Sequence, residues 1–169
     1  MSKPAVYFSH GQESGPWGTK IRSMAETVRE LGCRVESIDY QGIADPTQRV
    51  EKLLAECAGM TERLVLVGSS MGGHVATAAA DKLGAAGLFV LAPAYYMPGY
   101  ESLTPPPPKM PVSIVHGWND DIVPVENSIR FARECQASLH IFDAGHRLTE
   151  RISDINHLLA RFIEDLADN

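Results

Sequence analysis

Leu64-Val65-Leu66-Val67-Gly68-Ser69-Ser70-Met71-Gly72, running on into Val75 to Leu83, is the stretch that decides how this chain folds. Four apolar residues in a row read as a buried strand, and Ala76, Ala78, Ala79 and Ala80 read as a helix able to pack close to the sheet beneath it. Between the two stands a serine flanked by glycines, the pattern of a nucleophile elbow. A side chain at either glycine would crowd the sharp turn that lifts the Ser70 hydroxyl above the strand ends. Ser70 is therefore the candidate nucleophile. The other reading of the same pattern is a glycine-rich strand-to-helix turn that cradles a phosphate.

A serine hydroxyl is a weak nucleophile until a base takes its proton and a third group orients that base. On this kind of sheet the expected chain order is serine, acid, histidine, each just beyond a strand. Val112 to Val115 is a short apolar run, and the loop His116-Gly117-Trp118-Asn119-Asp120-Asp121-Ile122-Val123-Pro124 follows it with two adjacent acids. Spacing alone leaves Asp120 and Asp121 open, with Asp143 a further competitor that reads more naturally as a turn cap. Ser138 to Phe142 reads as the next strand, and Asp143-Ala144-Gly145-His146-Arg147 supplies His146 as the base ahead of a capped, amphipathic terminal helix. Of the other histidines, His10 and His116 precede glycines at strand exits and read as turn braces. His74 follows the elbow, His140 lies in a strand and His157 in a helix.

Acyl chemistry also needs donors for the negative charge that develops on a substrate carbonyl oxygen. The Met71 N–H directly follows the nucleophile. The second donor belongs to the loop after an early strand, here Ser9-His10-Gly11-Gln12-Glu13 after Ala5 to Phe8, with Gln12 the chosen amide.

Taken together, His10-Gly11, Gly68-Ser69-Ser70-Met71-Gly72-Gly73, His116-Gly117 with Asp120-Asp121-Ile122-Val123-Pro124, and Gly145-His146 resemble the pattern of a small α/β-hydrolase over nearly the whole chain. In that family the acid stands three residues after the His-Gly pair and two before the Val-Pro, so the resemblance selects Asp120. Gly18-Thr19-Lys20, the Gly-Ser-Ser-x-Gly-Gly elbow and Asp-Asp-Ile-Val-Pro are similar to the bacterial esterases and the mitochondrial acyl-protein thioesterase and acyl-glucuronide esterase group. The resemblance implies hydrolysis of carboxylic esters or thioesters without choosing between them. The chain departs from larger members of that group in two ways: it starts at the strand bearing the oxyanion loop, and it has little room for a lid, so a minimal fold is expected.

Strand and helix signals alternate throughout, which predicts an α/β three-layer sandwich with a mostly parallel sheet. Candidate strands are 5–8, 34–38, 63–67, 87–91, 112–115 and 138–142. Ile21, Met24, Ala25, Val28 and Leu31 give the first helix its buried face and Gly32 ends it, while Asp45-Pro46 caps a second helix carrying Val50, Leu53, Leu54 and Cys57. Ile152, Ile155, Leu158, Leu159, Phe162, Ile163 and Leu166 form the stripe of the last helix. The proline-rich connection from Pro93 to Pro111 is too short and too rich in proline for a lid of useful size, so an open site is expected. Tyr95, Tyr96 and Trp118 are the candidate substrate-contacting residues, against the alternative that they pack loops onto the surface.

A chain of 169 residues, 44% hydrophobic, suits a single domain spanning 1–169. Its net charge of −6 argues against nucleic acid as a partner. No apolar run is long enough to span a bilayer and the start Met1-Ser2-Lys3-Pro4 is unlike a secretory signal, so a cytoplasmic location is the expectation. Cys33, Cys57 and Cys135 are odd in number and lack metal-ligand spacing, which predicts reduced structural thiols, no metal and no cofactor. The competing functional class is a non-catalytic binding module on the same scaffold, using the pocket or the proline run. A third reading is an acyltransferase, disfavoured by an open, wet site.

Overall fold

The uninterrupted apolar runs become strands because helices cover both faces of the sheet they build. A computed structural model describes residues 2–168. The strands are Ala5–Ser9 (β1), Arg34–Ile38 (β2), Leu64–Ser69 (β3), Gly87–Leu91 (β4), Val112–Gly117 (β5) and Ser138–Phe142 (β6). They form one sheet in the order β2-β1-β3-β4-β5-β6, and every pairing is parallel. The helices between them are Thr19–Glu30 (α1), Pro46–Glu56 (α2), Met71–Ala80 (α3), Val125–Cys135 (α4) and Ile152–Ala167 (α5).

Alternation along β1 divides the core into two layers. Ala5 and Tyr7 join Val50 and Leu53 of α2, Val75 and Ala76 of α3 and Phe131 of α4, whereas Val6 and Phe8 join Ile21, Met24 and Val28 of α1 and Ile155, Leu159 and Ile163 of α5. The helix boundaries follow local signals. Gly32, with φ of +85°, stops α1, and the Asp45 carboxylate accepts from the Thr47 N–H ahead of Pro46 at the start of α2.

Two features depart from the sequence reading. The alternation of elements is completed by α4, an addition to the helices expected from the sequence; its buried face is Val125, Ser128, Phe131 and Ala132, of which only two are large apolar side chains. The start of α5 has no side-chain cap; a 3-10 turn at Thr149–Arg151 leads into it instead, after Leu148 in a left-handed conformation at φ +59°. The connection from β4 to β5 holds one 3-10 turn, Glu101–Leu103, and no lid helix.

Strand order fixes where a site can form. The chain leaves β1 for β2 on one side, returns to β3 on the other, and then steps outward through β4, β5 and β6. The carboxyl ends of β1 and β3 are thus the point where the connections diverge, the usual crevice of an open α/β sheet. The loop carrying Gly11 and Gln12 and the turn carrying Ser70 both emerge there.

Candidate active site

The turn from β3 into α3 is strained and tightly packed. Ser70 has φ 56° and ψ −118°, a conformation that non-glycine residues rarely adopt. It is held from both sides: the Ser70 N–H donates to the Leu91 carbonyl at 2.9 Å, and the Ser70 carbonyl accepts from the N–H groups of Gly73 at 3.0 Å and Ala94 at 3.0 Å. Glycine at 72 is required by the end of β1, since a Cβ there would stand 1.9 Å from the Ser9 carbonyl oxygen. Glycine at 68 is required by the turn itself, because its Cβ would lie 2.1 Å from the carbonyl oxygen of Gly72.

Three residues far apart in sequence meet above this turn. His146 Nε2 lies 3.1 Å from Ser70 Oγ, and His146 Nδ1 lies 2.7 Å from Asp120 Oδ2. A carboxylate only accepts, so Nδ1 carries the proton and Nε2 presents its lone pair to the serine hydroxyl. The Asp120 side chain is wholly buried, while His146 keeps 21% of its surface exposed, enough for a reacting group to reach Nε2. Asp120 Oδ1 accepts from the N–H groups of Ile122 and Val123, each at 2.8 Å. Burial alone would raise the Asp120 pKa, yet the hydrogen bonds from His146, Val123 and Ile122 outweigh it and hold the carboxyl below its ordinary value. Asp121 is exposed, and Asp143 accepts from the Asn119 side chain at 2.7 Å, so neither competes for the imidazole.

A second histidine stands behind the acid. His116 Nε2 lies 2.9 Å from the Val123 carbonyl and 3.0 Å from Asp120 Oδ2, and its Nδ1 lies 2.7 Å from Ser128 Oγ. The carbonyl and the carboxylate only accept, so Nε2–H donates and Nδ1 accepts from Ser128. Burial pushes the His116 pKa down, which keeps the ring neutral and suits this arrangement. Sequence reasoning took His116 for a turn brace. It does brace the Val123 turn, and it also fixes the acid.

The candidate oxyanion donors sit on either side of Ser70. Met71 is the first residue of α3, so its N–H has no intrahelical partner. The loop after β1 lies directly over the serine: a Cβ on Gly11 would be 3.5 Å from Ser70 Cβ. Among the described residues neither the Met71 nor the Gln12 N–H donates to a protein acceptor. Lys20, at the start of α1, crosses to the other side of the site and donates to the Arg147 carbonyl at 2.9 Å, one residue beyond His146. Burial lowers the Lys20 pKa to about 8, against the opposing attraction of Asp120.

The candidate substrate contacts fare differently. Tyr95 lies in the core, not in a groove: it is fully buried, stacked on Phe131 at 4.0 Å between ring centroids, with its hydroxyl 2.6 Å from Thr77 Oγ1. An aromatic ring between α3 and α4 gains more from packing than from solvent, and Thr77 supplies the partner that its hydroxyl needs. Tyr96 is half-buried, its hydroxyl 3.3 Å from Glu134 and its ring under the Arg130 guanidinium at 3.9 Å. Trp118 remains available, 56% exposed on the loop that carries Asp120. Of the remaining histidines, burial lowers the pKa of His74 in α3 and of His140 in β6, and His157 lies exposed in α5. Among the described residues no cluster of three or more His, Cys, Asp or Glu could hold a metal ion, and no helix is long and apolar enough to cross a membrane. Cys33, Cys57 and Cys135 are free thiols.

Residues 5–106 match the family described as Uncharacterised protein family (UPF0227). No curated protein matches the chain. Among solved structures, a candidate hydrolase of the alpha/beta superfamily from Xanthomonas campestris pv. campestris superposes with a TM-score of 0.88 at 28% identity, covering 96% of this chain and 99% of that one. Est1E from Butyrivibrio proteoclasticus gives 0.81 at 18% identity, over 99% and 89% of the two chains. Alpha/beta hydrolase domain-containing protein 10 from mouse gives 0.79 at 21%, over 99% and 90%. The chain therefore has the α/β-hydrolase fold in a minimal, lidless form.

Proposed function

The chain belongs to the uncharacterised protein family UPF0227, and we propose from the geometry of its site that it is a serine hydrolase of carboxylic esters or thioesters. The observation that carries the reading is the unbroken line from Ser70 Oγ through His146 to the buried carboxylate of Asp120, at 3.1 Å and 2.7 Å. The hydrolase and esterase structures that share its fold support the same class of reaction. In this reading residues 1–169 act as one domain.

Ser70 Oγ attacks the substrate carbonyl carbon as His146 Nε2 takes the hydroxyl proton. Asp120 holds the imidazole in the tautomer that makes this possible and stabilises the imidazolium that forms. The tetrahedral oxyanion is received by the Met71 and Gln12 N–H groups, whose hydrogen bonds are stronger to the developing charge than to the neutral carbonyl. His146 then returns the proton to the departing alkoxide or thiolate, leaving an acyl group on Ser70. Water, deprotonated by the same nitrogen, attacks the acyl-enzyme, and as the acyl–Oγ bond breaks His146 returns that proton to Ser70 Oγ, releasing the carboxylic acid and restoring the serine hydroxyl.

A fluorophosphonate tests the activated serine without a guess at the substrate. The expected result is a single adduct by intact mass on the wild type and none on Ser70→Ala. Labelling of folded Ser70→Ala at the wild-type rate would remove Ser70 from the mechanism. No adduct on folded wild type would turn the reading toward a binding module.

A further inference from the structure

Arg49 is a cation that the acyl mechanism does not use, and it is 2% exposed in the first turn of α2. Among the described residues no carboxylate pairs with it. Its hydrogen bonds go to three main-chain carbonyls: Nε donates to Ile43 at 2.7 Å, and Nη1 donates to His10 and to Gly11, each at 3.2 Å. The guanidinium lies 5.4 Å from the centroid of the Tyr40 ring. Burying a charge without a counter-charge is costly, so carbonyl oxygens converging on one guanidinium call for a reason.

The reason lies in the peptide unit shared by Gly11 and Gln12. In a planar trans peptide the C=O and N–H point in opposite directions, so whatever holds the Gly11 oxygen also aims the Gln12 N–H. The Gly11 oxygen is drawn toward Arg49 at 3.2 Å and toward His10 Nδ1 at 2.7 Å. His10 Nε2 accepts from the Tyr40 N–H at 2.8 Å, so Nδ1 carries the proton and donates. Ser14 Oγ adds a contact at 3.5 Å, at the limit of hydrogen bonding. The neighbouring peptide is held the same way, through the His10 oxygen on Arg49. Were the Gly11–Gln12 peptide to turn over, its oxygen would leave the guanidinium and its N–H would face a cation.

We propose that Arg49 is a positioning residue that locks the loop after β1 with the Gln12 N–H turned toward Ser70, so that the oxyanion site is preformed before substrate arrives. The inference rests on the acyl-transfer reading and names the device that orients one of its two donors. Arginine is needed because one planar fork must reach the loop after β1 with Nη1 and the loop before α2 with Nε; a lysine ammonium, a single donor centre, cannot span both.

The test uses p-nitrophenyl butyrate as the ester probe and a trifluoromethyl ketone as a mimic of the tetrahedral species, on wild type, Arg49→Met, Arg49→Lys, Arg49→Ala and Ser70→Ala. Loss of one oxyanion donor lowers kcat by about 10²-fold or more, and that is the drop expected for Arg49→Met, with KM nearly unchanged. Inhibitor affinity should fall by the same factor as kcat/KM across the Arg49 series, since both report the tetrahedral state. Millimolar guanidinium should restore part of the lost kcat in Arg49→Ala and none in Ser70→Ala. If wild type turns over the ester through Ser70 but folded Arg49→Met does so equally well, the positioning role is wrong and the hydrolase reading stands. If Arg49→Met does not fold, Arg49→Lys decides by the same comparison of kcat with inhibitor affinity; a fall in KM-related binding alone, or loss of activity without loss of inhibitor affinity, overturns the proposal. If wild type neither labels nor turns over, the hydrolase reading itself has failed.

Discussion

The two sides of the site are each built on a histidine-glycine pair at the end of a strand, and they use it in opposite senses. At the end of β1, His10 accepts through Nε2 from the Tyr40 N–H and donates through Nδ1 to Gly11, so it acts on the main chain beside it. At the end of β5, His116 donates through Nε2 to Val123 and Asp120 and accepts through Nδ1 from Ser128, so it acts on a side chain four residues away. In the proposed mechanism one histidine shapes where negative charge is received, the other where it is stored. The histidine is buried and its pKa lowered in both places, and only the partners decide which nitrogen holds the proton.

Removing the acid's charge tests the β5 side most severely. Asp120→Asn keeps the shape but offers only one oxygen where two are used, and the amide nitrogen would face donors at either Oδ1 or Oδ2. Turnover of an ester probe should fall by about 10⁴-fold, the scale expected when a serine triad loses its correct imidazole tautomer. A loss below about tenfold in a folded variant would mean that Asp120 is not the orienting group.

Next in size is His116→Gln, which sharpens the contrast between the two pairs. Losing a hydrogen bond to a buried charged group costs about 1.5–3 kcal/mol, so kcat/KM should drop by about 10- to 100-fold if that cost is borne by the reaction. The downfield proton resonance of the His146–Asp120 hydrogen bond should move, because its acceptor has lost a competing donor. His10→Gln should leave that resonance in place while still lowering kcat. If both variants shift the resonance alike, the division of labour between the two sides is wrong.

The sheet was legible from the sequence because its four inner strands are largely apolar runs between turn signals and its two edge strands, β2 and β6, alternate apolar with polar residues, with ends differing by no more than two residues from those of the fold. Helix α4 was not, because its buried face carries only two large apolar residues, Val125 and Phe131, beside the polar Ser128 and the small Ala132. Ser70 and His146 were legible because each falls on a glycine-bearing loop after a strand, while spacing left Asp120 and Asp121 open and only the family resemblance chose Asp120. Arg49 was not, since a charged residue inside an amphipathic helix reads as solvated; its one signal is its place beside Val50 and one turn before Leu53, in phase with the buried stripe. His116 was assigned half its role, because a turn brace and an acid brace look alike until the fold brings Asp120 back against the ring.

Acid should strain both sides together. Burial lowers the pKa of His10 and of His116 below the ordinary 6.5, so the unfolded chain binds protons that the folded one refuses. Their contribution to stability is complete above about pH 6.5 and is lost as pH falls through the lowered folded values. Asp120, whose folded pKa is also lowered, adds a second loss at more acidic pH, below the ordinary 3.8. Thermal melts from pH 7.5 to 4.5 should show Tm declining from about pH 6.5 downward, and a flatter profile in His116→Gln. A Tm that rises toward pH 5 would contradict the neutral state assigned to both rings.

The smallest effect separates the site from the core beside it. Tyr95→Phe removes only the hydroxyl that meets Thr77 Oγ1, leaving the stack on Phe131 intact. Thr77 Oγ1 still donates to the Gly73 carbonyl at 2.7 Å, so no donor is stranded, and the expected loss is about 1 kcal/mol of stability. Activity on short and long acyl esters should be unchanged, because the ring is enclosed between α3 and α4. Trp118→Ala, on an exposed ring at the acid loop, should instead alter KM with acyl or leaving-group size while sparing stability. An altered acyl preference in Tyr95→Phe would mean that the α3–α4 core opens to substrate during turnover, and the boundary between packing and binding would then run through Phe131 instead of stopping at the surface.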